Sequence, residues 1–177
     1  FCVGVLQAVA DLAARDLLYA DLRPGNVRVV ARPARRIRLL DAGSIVRRSE
    51  LGRRFPHVPA YLPPRLFRAV SGGLAIEPSD EVLAEMAGRT LYEIATGEPP
   101  YPGEPIDAER LAAGRVSPPV AEVVAALAGG EICTVEAALH ELKRHAVRTV
   151  RRETVRRDVV APPASTTAPP PGRRVLR

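Results

Sequence analysis

The sequence lacks every feature that would carry a protein into or across a membrane. No run of about 18 apolar residues is free of charged side chains, and no signal-peptide pattern is present. We therefore expect a cytoplasmic protein. The chain begins with Phe1, which would not normally follow removal of an initiator methionine, so we also expect it to be a piece of a longer product.

The chain is also poor in residues that bind transition metals or stack on nucleic-acid bases. Its two cysteines, Cys2 and Cys133, lie far apart and form no CxxC pair, and its three histidines share no spacing with a cysteine or carboxylate. We expect neither a disulfide nor a zinc site. Aromatic residues make up only 4% of the chain and Trp is absent, so the sequence offers no stacking platform for nucleic acid.

The net charge of +6 comes entirely from the C-terminal end. Residues 1–147 hold 18 basic and 18 acidic side chains, whereas residues 148–177 hold 8 arginines against two acids. With 46% apolar residues overall, the first part can form a core, while "APPASTTAPPPG" lacks the large apolar groups needed to pack. We predict a domain over 1–147 and a disordered Arg/Pro-rich tail over 148–177. The tail is interpreted as a solvated linker, with weak contact to anionic lipid as the alternative and no specific nucleic-acid binding.

Periodicity and terminating residues predict a mainly α fold with one small β-ribbon. Two short β-branched or apolar runs, 27–31 and 36–40, are predicted to pair as antiparallel strands. Residues 42–66 contain repeated glycine and proline and are predicted to be one long irregular loop. The predicted helices are 1–16, 80–96, 107–114, 118–130 and 134–152.

Three oxygen-bearing side chains stand at the ends of this predicted ribbon. Asp21 lies in the turn between a helix and the first strand, Asn26 enters that strand, and Asp41 follows the second strand. Magnesium favours such a set, because it takes one or two protein oxygens and completes its shell with water and phosphate. Asp21 would accept a proton from an attacking hydroxyl, and Arg23 would neutralise charge on a transferred phosphoryl group.

These residues form motifs that resemble those of protein kinases. "DLRPGN" (21–26) is similar to the catalytic loop D-[LIV]-K-P-x-N, and "DAG" (41–43) is similar to D-F-G. Later segments follow in the family's order: "VPAYLPPRL", "GRTLYEIATGEPPY" and "ICTVEAALHEL". Residues 1–147 resemble the C-terminal lobe alone of a bacterial-type serine/threonine protein kinase. The glycine-rich loop and strand lysine of the N-terminal lobe are not found in this sequence, so we expect this chain alone to be inactive without an N-lobe.

The resemblance implies phosphoryl transfer from ATP to a serine or threonine hydroxyl of a protein substrate. Asp21 takes the position of the catalytic base and Arg23 that of the phosphate-contacting basic residue. Asn26 and Asp41 take the positions of the magnesium ligands beside the nucleotide, and Gly43 that of the hinge. The implied cofactors are ATP and Mg²⁺. The basic, proline-rich tail is similar to the segment that joins receptor-type kinases to a membrane helix, so the lobe could be the cytoplasmic part of an anchored protein.

Several positions depart from the family pattern. Ala20 replaces the arginine before the base, and Ala42 replaces the phenylalanine of D-F-G. Val58 stands where a threonine usually contacts the base and cannot make that bond. Arg65 takes the glutamate position of the A-P-E-like stretch and Ile132 that of its arginine partner, which predicts loss of both halves of one ion pair.

Two other functions are therefore compared with the enzyme. A pseudokinase-like binding or scaffold module would keep the fold without catalysis, and the four departures at Ala20, Ala42, Val58 and Arg65 favour it. A small-molecule kinase of the aminoglycoside type shares a similar loop, but Tyr19 in place of histidine and the segments "PAYLPP" and "TGEPPY" argue against it. The retained metal and base positions favour the protein kinase.

Overall fold

The computed structural model of the chain describes residues 1–30, 36–47, 58–74, 79–114 and 116–145. Within them the fold is mainly helical with two small antiparallel sheets, as expected for a kinase-like C-lobe. The helices are α1 (Cys2–Ala13), α2 (Pro64–Ser71), α3 (Asp80–Thr96), α4 (Ala108–Ala112), α5 (Pro118–Ala128) and α6 (135–145 of the described residues). The strands are β1 (Leu17–Tyr19), β2 (Val27–Val30), β3 (Arg36–Leu39) and β4 (Ile45–Arg47).

The strands pair in two nested ribbons. β2 and β3 are antiparallel with Val27 opposite Leu39, which confirms the pairing predicted from their apolar runs. β1 and β4 enclose this hairpin in the sequence and pair antiparallel, with Tyr19 opposite Ile45. The inner hairpin starts just after the turn Pro24–Asn26, and the outer pair closes just after the turn Ala42–Ser44. The chain therefore brings both predicted site loops to the same end of the ribbons.

Helix α3 is the central element of the fold. The Ser79 side chain caps it by accepting from the Val82 amide at 3.2 Å, and Gly97 ends it with φ of +82°. A serine cap and a left-handed glycine satisfy the free backbone groups at the two ends of a helix. Most of its side chains are buried on every face, so α3 passes through the interior rather than lying on one side.

Two hydrophobic clusters flank α3. The larger one joins α1, α5 and α6 to one side of α3, around fully buried residues such as Val5, Leu91 and Val124. The smaller one joins β1 and α2 to the N-terminal half of α3, around Leu18 and Met86. Since both clusters share α3, displacement of this helix would disturb the whole core.

The predicted loop over 42–66 is wrong in part. Residues 45–47 form β4, and α2 begins at Pro64, whose ring suits the first turn of a helix although two prolines had suggested a break. Helix α1 ends at Ala13, before the predicted end at 16, because Asp16 has φ of +59° and leads into β1. Residues 48–57 lie outside the described residues.

Three expectations about the rest of the chain have different outcomes. Cys2 is buried and Cys133 is exposed, and both are free thiols. No helix among the described residues has the length and apolar character needed to cross a bilayer. The predicted tail, 148–177, lies outside the described residues and stays a prediction.

Candidate active site

Asp21 is held by Arg23 and Asn26, which lie later in the same turn. The Asn26 side-chain amide donates to Asp21 twice, at 2.9 Å to the carboxylate Oδ2 and at 2.9 Å to the backbone carbonyl. Arg23 Nε donates to the same Oδ2 at 3.0 Å. Both bonds fall on one carboxylate oxygen, so Oδ1 of Asp21 carries neither of them. The backbone amide of Asn26 also donates to Arg23 O at 2.9 Å, and this bond closes the turn.

Asp41 occupies a different kind of turn. Its backbone is left-handed, with φ of +58°, a conformation that aspartate and asparagine tolerate better than other residues with a side chain. Ser44 closes the turn by donating from its hydroxyl to Asp41 Oδ2 at 3.1 Å and from its amide to Asp41 O at 3.0 Å. The carboxylate is exposed but its direction is set by this serine.

Three bonds between the loops bring Asp21 and Asp41 to one place. The Leu40 amide donates to Asn26 O at 2.8 Å, and the Ala20 amide donates to Ser44 O at 3.0 Å. The Tyr19 hydroxyl donates to Leu40 O. Each residue immediately preceding Asp21 or Asp41 is therefore bonded to the opposite loop, so the two predicted loops form one cluster.

The pKa of the Tyr19 hydroxyl depends on the charges of this cluster. Burial raises the pKa of Tyr19, and the carboxylates of Asp21 and Asp41 raise it further because both disfavour a phenolate. The positive charge of Arg23 partly offsets the rise in pKa. The charges of Asp21, Arg23 and Asp41 thus all act on one phenol, in agreement with the backbone bonds between the two loops.

The donor set fits magnesium better than a softer metal. Among the described residues, no group of three or more His, Cys, Asp or Glu side chains lies close enough to hold a metal by itself. Magnesium needs only one or two protein oxygens when phosphate oxygens complete its shell. Asn26 directs its amide protons to Asp21, so its Oδ1 faces the other way and could bind such a cation together with Asp41.

Gly43 has a steric role beside Asp41. A Cβ at this position would lie 3.3 Å from Asp41 Oδ1, so a side chain would press on the carboxylate. The left-handed residue of this turn is Asp41, and Gly43 is not among the residues with positive φ. The geometry therefore explains a small residue at position 43 through contact with the carboxylate, whereas its predicted role as a hinge is not tested.

The segment before α2 is anchored to α3 by a buried arginine. Arg89 has no exposed surface and donates to three backbone carbonyls: Ala60 at 3.0 Å, Tyr101 at 2.8 Å and Glu104 at 2.9 Å. Burial lowers the pKa of Arg89, and the nearby Glu85 partly offsets this. The guanidinium thus joins the segment before α2 to the loop before α4.

Arg65 has a partner that the sequence did not suggest. It forms an ion pair with Glu85 of α3, whose side chain is only 8% exposed. Arg65 and Ile132 cannot form the family's ion pair, and the arginine pairs instead with an acid from another helix. Removing Arg65 alone would leave Glu85 buried without that partner.

Sequence reasoning missed the residues that join the loops. Tyr19 was interpreted only as a departure from the family pattern, and Ser44 was not considered. The sequence indicates these contacts only weakly. A hydroxyl in a short turn can bond to many groups, and the partner lies up to 21 positions away. Asp21, Arg23, Asn26 and Asp41, by contrast, were all identified from the sequence, and they lie in the two loops that these bonds join.

The chain is similar to two known protein kinases. Over 104 residues the chain is 33% identical to the serine/threonine-protein kinase ppk5 of Schizosaccharomyces pombe, a match that covers 58% of this chain and 12% of that protein. The structure superposes on the Cydia pomonella granulovirus kinase PK-1 with a TM-score of 0.56 at 16% identity, covering 78% of this chain and 54% of the viral one. The chain has a protein-kinase-like fold.

The two similarities cover different shares of the proteins compared. The kinase-like fold rests on the structural match together with the partial sequence match, and no family model matches the chain. The kinase-like chain spans about half the length of the viral kinase and about an eighth of the yeast kinase. The activity of a whole kinase is therefore a proposal for this chain.

Proposed function

We propose that this kinase-like chain transfers the γ-phosphoryl group of ATP to a serine or threonine hydroxyl of a protein, acting as the C-lobe of a bacterial-type serine/threonine kinase. The observation that carries the proposal is the arrangement of Asp21. Asn26 and Arg23 fix one of its carboxylate oxygens at 2.9 Å and 3.0 Å, while Oδ1 is not used by either bond. A fixed carboxylate with a second oxygen for a substrate hydroxyl suits a catalytic base.

Asp21 and Arg23 would act on the two reacting groups. Asp21 Oδ1 accepts the hydroxyl proton as the oxygen attacks phosphorus, and the bond to the ADP leaving group breaks on the opposite side. Arg23 is 45% exposed at its side chain and remains next to Asp21 through Nε. Its positive charge beside the attacking group favours the negatively charged phosphoryl oxygens.

Asn26 and Asp41 would hold the nucleotide through magnesium. Bound Mg²⁺ would neutralise charge on the phosphate oxygens and orient the terminal phosphate. The chain supplies the rigid support for this role: Ser44 directs the Asp41 carboxylate, and Asn26 is 7% exposed with its amide group fixed on Asp21. ATP, Mg²⁺ and a protein substrate are the partners of this proposal.

A direct test is phosphotransfer by this chain together with whatever coding sequence precedes Phe1. We expect that protein to transfer ³²P from γ-labelled ATP to itself or to a basic protein such as myelin basic protein, only when Mg²⁺ is present. Phosphoamino-acid analysis should give phosphoserine or phosphothreonine. Parallel titration calorimetry would measure ATP binding with and without Mg²⁺.

The two measurements separate the enzyme from a scaffold. Magnesium-dependent ATP binding without labelling would overturn the enzymatic proposal and favour a pseudokinase-like module. Labelling of an aminoglycoside but of no protein would favour a small-molecule kinase. The bonds of Arg23 and Asn26 to Asp21, and of Ser44 to Asp41, support the enzymatic proposal over both alternatives.

A further inference from the structure

We infer that Thr90 of α3 is a positioning residue that fixes the catalytic turn, residues 21–26, onto α3. Its hydroxyl donates to the backbone carbonyl of Leu22 at 2.7 Å, across 68 positions of sequence. Leu22 lies directly between Asp21 and Arg23. The inference rests on the proposed phosphotransfer function and adds a residue to it that touches neither substrate nor nucleotide.

The geometry favours a bond to the loop over a bond within the helix. Thr90 Oγ1 also lies 3.0 Å from Met86 O, one turn earlier in α3, which is a common position for a threonine hydroxyl in a helix. A hydroxyl has a single proton, and the shorter distance points to Leu22. Thr90 has no exposed surface, so water cannot replace it as a donor.

This bond completes a fixed frame around Asp21. Asn26 donates to the carbonyl of Asp21 at 2.9 Å, and Thr90 donates to the next carbonyl along the chain at 2.7 Å. The Leu22 side chain is 3% exposed and packs in the larger core cluster. Two consecutive carbonyls and one buried side chain thus determine where the Asp21 carboxylate lies relative to α3.

The test compares three substitutions on the same helix. Thr90→Val removes the hydroxyl and keeps the shape, Thr90→Ser keeps the hydroxyl, and Thr96→Val is the matched control. Thr96 also lies in α3, but its hydroxyl contacts Tyr92 O at 2.9 Å and Glu98 O at 3.1 Å, away from the catalytic turn.

Activity is measured on the same protein as in the phosphotransfer test above, per native molecule. We expect Thr90→Val to lower kcat by about tenfold to a hundredfold, because a small misplacement of a catalytic group has effects of this size. The KM for ATP should change by less than about threefold, since the metal ligands are held by other bonds. Thr90→Ser should restore kcat, and Thr96→Val should leave it unchanged.

Hydrogen exchange tests the tether independently of activity. In this chain, Thr90→Val should speed exchange of the Asn26 amide, which closes the turn onto Arg23 O at 2.9 Å, by about tenfold or more as the local opening free energy falls. Thr90→Ser and Thr96→Val should not. If wild type fails to transfer phosphate but this exchange pattern appears, the proposed function fails and the tether stands.

Two results would overturn the inference. One is an Asn26 amide that exchanges at the same rate in Thr90→Val as in wild type. The other is an active wild-type protein whose Thr90→Val and Thr96→Val variants have the same kcat, which would make the hydroxyl a structural group of the helix alone.

Discussion

Replacing Asp41 by asparagine is expected to lower phosphotransfer by about a hundredfold to a thousandfold. The substitution removes the negative charge that would hold magnesium against the phosphates, a contribution of several kcal/mol to transition-state stabilisation, and each 1.36 kcal/mol corresponds to about tenfold in rate. The bond from Ser44 at 3.1 Å can still be made to an amide oxygen, so the turn should keep its shape.

Asparagine is preferred to alanine here because of the backbone. Asp41 has φ of +58°, and alanine in a left-handed conformation costs about 1–2 kcal/mol. Alanine would thus combine the loss of a ligand with strain in the turn. Asparagine occupies this region more readily than most residues, so the loss of activity can be assigned to charge.

The matched control is Asp11→Asn on α1. Asp11 is an exposed carboxylate that accepts from Gln7 Nε2 at 2.8 Å, and it takes part in none of the bonds that join the two site loops. Initial rates with γ-labelled ATP at saturating Mg²⁺ compare the two variants, with the unfolding midpoint as a check. Equal rates for Asp41→Asn and Asp11→Asn would contradict the assigned role of Asp41.

Gly88→Ala is expected to destabilise the fold by about 3 kcal/mol or more, beyond the typical cost of overpacking a core. A Cβ at position 88 would lie 2.4 Å from Ala128 N and 2.8 Å from Ala128 Cα, so α3 would meet the backbone of α5. Backbone cannot rotate aside as a side chain can, and the two helices must move apart. Alanine's better helix propensity, worth about 1 kcal/mol, offsets only part of this.

The control for this substitution is Gly72→Ala at the end of α2. A Cβ there meets its nearest atoms at 3.4 Å, and the residue has φ of −83°, so alanine fits. Urea denaturation followed by circular dichroism gives both free energies of unfolding. A Gly88→Ala midpoint equal to that of Gly72→Ala would show that α3 and α5 do not approach as closely as described.

Local signals predicted the elements that local chemistry determines. Helix α3 was predicted over 80–96 and found there, because its capping serine, terminal glycine and apolar positions lie within the helix itself. The β2–β3 hairpin was predicted from two adjacent apolar runs. In both cases the residues that decide the structure are close in sequence.

The elements that were missed depend on distant partners. β1 and β4 have three residues each and gain their structure from pairing with one another across the hairpin. A run such as "IVR" contains no local feature that separates a strand from a loop. The start of α2 was hidden by Pro63 and Pro64, since proline indicates a break in most positions and a favourable first turn in one.

The candidate site shows the same division. The motifs identified Asp21, Arg23, Asn26 and Asp41. Arg23 and Asn26 bond to the Asp21 carboxylate, and Asp41 lies in the loop whose Ser44 carbonyl accepts from the Ala20 amide. The contacts that hold them there come from side chains whose partners could not be known from spacing. Arg65 is the clearest case: the sequence indicated loss of the family's pair with position 132, but it gave no sign of the new pair with Glu85 of α3.

The most direct measurement of the central claim is paramagnetic relaxation by Mn²⁺ in place of Mg²⁺. With ¹⁵N-labelled chain and excess ATP, substoichiometric Mn²⁺ should broaden the amide signals of Asn26, Asp41 and Gly43 first. Asp41→Asn should weaken that effect, and signals from α6 should remain sharp. Broadening that spares residues 21–26 and 41–44, or that is unchanged in Asp41→Asn, would contradict a shared cation site between the two loops.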